Sequence, residues 1–97
     1  MEVIKPKRIR ALILTPTREL AMQIFDNFKM YGRYLPLRTA CIYGGAKQHP
    51  QISALARSTD ILIATPGRLM DFMRQGFVDL DDIDIFVLDE EIGRAHV

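Results

Sequence analysis

An open α/β fold built on one parallel sheet is what this sequence predicts, and three observations carry that reading. Apolar runs at 11–14, 37–43, 61–64 and 83–88 are rich in branched residues, and Thr, Pro, Gly or acidic residues close them. Between them lie segments whose apolar residues recur at helical spacing. The resulting order is β-α-β-α-β-α-β, and its connections are so short that successive strands must run parallel through right-handed crossovers.

The first run, Ala11 to Leu14, stops at Thr15, because Pro16 cannot continue a central ladder. From Arg18 the period changes. Leu20, Ala21, Ile24, Phe28 and Tyr31 make one face of a helix of about four turns, with Thr17 as N-cap and Gly32 as terminator. The β-rich stretch 37–43 closes at Gly44-Gly45, and a weaker helix over 48–57 follows, with Ile52, Leu55 and Ala56 on its apolar side. Pro50 suits the first turn of that helix. Ile61 to Ala64 is a strand buried on both faces, broken by Thr65-Pro66-Gly67. A third helix carries Leu69, Met70, Phe72 and Met73 and ends at Gly76. The polar connector 79–82 leads into Ile85-Phe86-Val87-Leu88, again expected to be doubly buried, and the run ends in two carboxylates, Asp89 and Glu90. The four methionines at 22, 30, 70 and 73 are expected as core or core-edge filling.

At 97 residues and 48% hydrophobic content, the chain is long enough for one small core and too short for two domains. The single cysteine, Cys41, lies in an apolar run, so it is expected as a small buried hydrophobe and offers neither a disulfide framework nor a metal site. No run approaches membrane-span length, and the first ten residues lack the apolar core of a secretory signal. A soluble, cytoplasmic protein is expected. Net charge is +1 but unevenly spread: eight bases against three acids up to Arg38, and seven acids against one base from Gly76 onward. Such asymmetry is compatible with a polyanion at one edge and a metal-nucleotide at the other, and equally with ordinary solvated faces.

The distinctive residues all fall at strand exits: Pro16-Thr17-Arg18-Glu19-Leu20, Gly44-Gly45, Thr65-Pro66-Gly67-Arg68 and Asp89-Glu90. In open α/β sheets ligands bind at that edge. A helix N-terminus presents unpaired N–H groups and the positive end of its dipole, so three such junctions in a row offer three anion seats. Thr65 could cap its helix or donate to phosphate, Gly67 allows close approach, and Arg68 could pair with phosphate; alone, the tetrapeptide is also an ordinary capped helix start. Asp89 and Glu90 could hold Mg²⁺ through water and orient a nucleophile, or could simply be a solvated acidic loop. Gly44-Gly45-Ala46-Lys47 is not a phosphate-binding loop, since Gln48 follows the lysine and the G-x-x-x-x-G-K-[ST] spacing is absent. His49 and His96 have no partners at ligand spacing and are expected at the surface.

Taken together, Pro16-Thr17-Arg18-Glu19-Leu20-Ala21, Gly44-Gly45, Thr65-Pro66-Gly67-Arg68 and Val87-Leu88-Asp89-Glu90 resemble, in order and separation, the DEAD-box ATP-dependent RNA helicases. The connecting text resembles bacterial members of the RhlE-like group. The resemblance implies a RecA-like (P-loop NTPase) sheet truncated at both ends, with residues 1–90 forming part of the first RecA-like domain. It implies that Thr17, Arg18, Gly45, Thr65, Gly67 and Arg68 contact the sugar-phosphate backbone of RNA. It further implies that Asp89 holds Mg²⁺ on the ATP phosphates through water, and that Glu90 orients and deprotonates the attacking water. ATP, Mg²⁺ and single-stranded or duplex RNA are the implied cofactors and partners, with no membrane.

Departures from the family pattern limit these implications. The lysine loop belongs upstream of Met1, and the second RecA-like domain belongs beyond the acidic motif; without them the chain alone is expected to be inactive. The family's Asp-Glu-Ala-Asp reads Asp89-Glu90-Glu91-Ile92 here. Residues 91–97 are what GAG ATC GGA AGA GCA CAC GTC encodes, which after its first base resembles a short-read sequencing adapter. A non-native tail is therefore expected, and an uninterrupted genomic frame encoding it would contradict this. Two other readings stay open: a DNA-directed helicase of the same superfamily, against which the 16–21 string argues, and a non-catalytic α/β nucleic-acid-binding or interaction domain.

Overall fold

The computed structural model describes residues 9–34 and 36–90; the tail at 91–97, including His96, lies outside them. The element order is β1 (Ala11–Leu14), α1 (Arg18–Tyr31), β2 (Thr39–Ile42), α2 (Gln48–Ala56), β3 (Ile61–Ala64), α3 (Pro66–Arg74) and β4 (Ile85–Leu88). All strand pairings are parallel, as the short connections require, and the sheet order is β2-β3-β1-β4.

Strand pleating sorts the core into two layers. Leu12, Ala40, Ile42, Leu62 and Ala64 face one side and meet Leu69 and Phe72 of α3, with Ile52 and Leu55 of α2 packed against them. Ile13, Ile61 and Ile63 face the other side, against Ala21, Ile24, Phe25 and Phe28 of α1. Phe72 is wholly buried and meets Phe77 edge-on at 5.6 Å, an arrangement worth about 0.5–1.5 kcal/mol beyond its burial.

α1 starts where the sequence places it because Thr17 Oγ1 accepts from the Leu20 N–H at 3.1 Å. It stops at Gly32, whose φ of −62° is ordinary; the glycine terminates without a left-handed turn. Gly76 does adopt one, at φ +85°, just beyond α3. At the lower edge, Asp60 accepts through its carboxylate from the Arg38 N–H at 2.8 Å, and through its carbonyl from the Arg10 and Ala11 N–H groups. One buried aspartate thereby sets the start of three neighbouring strands.

Three expectations are corrected. Among the described residues β4 is an edge strand, paired only with β1, and its four residues are 42–59% exposed, so it is not doubly buried. Its register puts Ile85 and Val87 on the α1 side and Phe86 and Leu88 on the α2/α3 side, but α1 and α2 pack over β2 and β3 and leave β4 uncovered. Met22, Met30, Met70 and Met73 are exposed. In α3 the buried pair is Leu69 and Phe72, and Met70 and Met73 lie one residue round the helix from it, where no described element covers them. Ala56 is exposed too, and the buried residue of α2 is the polar Gln51. His49 is exposed, as expected. Among the described residues no helix is long and apolar enough to cross a membrane.

Candidate nucleic-acid interface

Parallel register brings the four strand exits onto one edge. Ile42 pairs with Ala64, Ala64 with Leu14, and Leu14 with Leu88, so the next residues, Tyr43, Thr65, Thr15 and Asp89, stand side by side. The ladder runs one bond further at each step: Thr65 N–H to the Ile42 carbonyl, Thr15 N–H to Ala64, and Asp89 N–H to Leu14, at 2.9–3.1 Å. With strands about 4.8 Å apart, the row spans about 15 Å. Its spatial order, glycine pair, Thr65 junction, Thr17 junction, acidic pair, differs from the chain order because β3 lies between β2 and β1.

Each candidate residue has a definite place in this row. Thr17 is half-buried with its oxygen accepting in the cap, and a hydroxyl that accepts retains an O–H able to donate. Arg18 is exposed and lies over the Tyr43 ring, 5.3 Å from the centroid. A Cβ on Gly45, whose φ is +79°, would stand 3.9 Å from the Arg18 guanidinium, so Arg18 reaches across the β3 exit to the glycine loop. Gly67 is exposed, with nothing within 4 Å of where its Cβ would be. Thr65 is buried and makes no side-chain cap to α3. Asp89 is half-buried and Glu90 exposed at the far end of the row.

Arg68 points inward. Its Nη1 donates to Gln51 Oε1 at 3.2 Å, its Nη2 donates to the Ala46 carbonyl at 3.1 Å, and its guanidinium lies 5.3 Å from the Phe72 ring centroid. Gln51 and Tyr43 were not singled out by sequence. The available signal was that Gln51 shares a helix face with Leu55, four residues on, where a polar side chain must find partners. Thr15 was also missed: it is wholly buried, and its hydroxyl has no hydrogen-bond partner among the described residues.

No group of three or more His, Cys, Asp or Glu residues suited to a metal occurs among the described residues. The acidic pair fits a metal that keeps most of its water and takes its other ligands from a nucleotide, which is how Mg²⁺ binds. Cys41 is half-buried, donates weakly to the Ala21 carbonyl at 3.6 Å, and has its thiol pushed up to about 12 by burial, with the nearby Asp26 charge adding to the shift. That makes it inert packing.

Residues 1–91 match the DEAD/DEAH box helicase family. The chain belongs to that family. Among similar proteins are the ATP-dependent RNA helicase DBP3 of Debaryomyces hansenii, 44% identical over 84 residues, and the ATP-dependent RNA helicase RhlB of Haemophilus influenzae, 48% identical over 81 residues. The match covers 87% of this chain but 16% of the former protein, and 84% of this chain but 20% of the latter. The chain therefore spans about a sixth to a fifth of the length of these relatives. A crystal structure described as a hypothetical ATP-dependent RNA helicase from Sulfolobus tokodaii superposes with a TM-score of 0.79 at 39% identity, over 84% of this chain and 24% of that one. The yeast DEAD-box splicing factor Prp28 gives 0.76 at 32% identity, over 86% and 20%. The sheet is thus the RecA-like sheet of DEAD-box helicases, as the motif order implied.

Proposed function

We propose that the chain is a portion of the first RecA-like domain of an ATP-dependent RNA helicase, residues 1–90 being native helicase sequence and 91–97 a foreign tail. The observation that carries the reading is the single edge on which three strand-to-helix junctions stand beside a carboxylate pair. Thr17, Arg18, Gly45, Thr65 and Gly67 supply hydroxyl, guanidinium and backbone N–H donors to successive phosphates, while Arg68, turned inward onto Gln51 and Ala46, holds the glycine loop behind them rather than meeting phosphate directly. Such contacts hold RNA without reading bases, so binding is independent of sequence.

In the same reading Asp89 holds, through water, the Mg²⁺ that neutralises charge on the ATP phosphates, and Glu90 accepts a proton from the attacking water. Both lie one strand away from the Thr17 junction, across the β1–β4 ladder. The exposed faces and free edge of β4 are covered, in the whole protein, by parts of the RecA-like domain that this chain lacks. A second RecA-like domain completes the ATP site, and a cytoplasmic location belongs to the same reading. In the full-length protein, Glu90→Gln is expected to lower RNA-stimulated ATP hydrolysis by at least about 100-fold while leaving RNA affinity within about twofold. Hydrolysis at the wild-type rate would refute the assignment. The 97-residue chain alone is expected to hydrolyse no ATP.

A further inference from the structure

We propose that Gln51 is a positioning residue that ties the arginines of the RNA-facing edge into one unit. The proposal rests on the reading of that edge as an RNA seat. Among the described residues β2 lies at the edge of the sheet and pairs only with β3, so the backbone groups of Tyr43, which alternate with the Ile42 carbonyl that accepts from Thr65, face away from the ladder. Gln51, 8% exposed, stands in for the absent strand: its Oε1 accepts from the Tyr43 N–H at 3.1 Å and its Nε2 donates to the Tyr43 carbonyl at 3.2 Å.

The same Oε1 accepts from Arg68 at 3.2 Å, while the other terminal nitrogen of Arg68 holds the Ala46 carbonyl at 3.1 Å. The glycine pair is therefore clamped on both sides, at Tyr43 by Gln51 and at Ala46 by Arg68. Arg18 rests on the ring of the same Tyr43. One buried amide thus fixes the residue that carries Arg18 and orients Arg68, joining three junctions that are separate in sequence. It also gives the arginines different roles: Arg18 is the exposed charge that meets phosphate, and Arg68 is a brace whose two terminal nitrogens both bind protein.

The test uses the full-length protein with a labelled uridine oligonucleotide. Gln51→Met keeps the side chain's length and apolar packing but removes the amide, and thermal melting checks that it folds. Its RNA affinity is expected to fall about tenfold with an unchanged salt dependence, and Arg68→Ala added to it is expected to weaken binding by no more than about a further twofold. Arg18→Ala should instead reduce the salt slope by about one ion. Affinity of Gln51→Met within twofold of wild type, effects of Gln51 and Arg68 that multiply, or a salt slope lowered by Arg68→Ala would each overturn the proposal. Hydrogen exchange at Gly44, Gly45 and Ala46 without RNA is expected to speed up in Gln51→Met, and unchanged exchange would overturn it too. If the wild type bound no RNA, the RNA seat itself would be refuted, and the exchange measurement would still show whether the amide clamps the loop.

Discussion

On the proposed RNA seat Thr17 would serve two purposes with one hydroxyl, and substitutions separate them. Its oxygen accepts from the Leu20 N–H at 3.1 Å, capping α1, while in the proposed RNA seat its O–H would donate to phosphate. Thr17→Ala removes both functions: losing the cap costs about 1 kcal/mol of stability, and losing the donor costs about tenfold in RNA affinity. Thr17→Asp keeps an acceptor at the cap and adds a charge favoured by the α1 dipole, so stability should stay within about 0.5 kcal/mol of wild type. The same carboxylate has no donor and faces phosphate, so affinity should fall by about 2 kcal/mol, some thirtyfold. Thr17→Ser should behave as wild type in both respects. Urea unfolding paired with RNA titration of the four full-length proteins reads the two axes independently. Wild-type affinity in Thr17→Asp would refute the assignment of the outward O–H to phosphate, and a loss of stability in Thr17→Asp equal to that in Thr17→Ala would refute the capping account.

Other substitutions test neighbouring features. Gly45 has φ +79° whereas Gly44 does not lie in the left-handed region, so Gly45→Ala should lose about 1 kcal/mol in urea unfolding and Gly44→Ala less than about 0.5. The wholly buried hydroxyl of Thr15, without a partner among the described residues, predicts that Thr15→Val, nearly isosteric, unfolds at higher urea, by about 1 kcal/mol. The Cys41 thiol, raised from 9.0 to about 12, keeps its neutral form in the fold after the unfolded chain has ionised. Its contribution to stability is therefore complete below about pH 9 and lost as pH rises towards 12, a decline that Cys41→Ala should lack, and at pH 8 thiol alkylation should be slow until urea unfolds the protein.

Much of this was legible locally. The Thr17 cap, the break at Pro16 and the end of α3 before Gly76 follow from the chemistry of a few consecutive residues, and the structure reproduces them. The wrong expectations concerned partners distant in sequence. Ile85-Phe86-Val87-Leu88 has the composition of a doubly covered strand, but the elements that would cover it are not α1, α2 or α3. Met70 and Met73 have helical spacing with Leu69 and Phe72, yet periodicity names a stripe and not which part of it finds a neighbour.

The run from Ile85 to Glu90 and the three junctions upstream are written in the sequence, because strand composition, proline and glycine act over a few residues. Their arrangement is not. With β3 between β2 and β1, Arg18 must reach across the Thr65 junction to Gly45, Arg68 turns inward onto Gln51, and Asp89 stands at the end of the row. Strand order decides those neighbours, and it is fixed by how whole apolar faces pack together, a property that no short stretch of sequence carries.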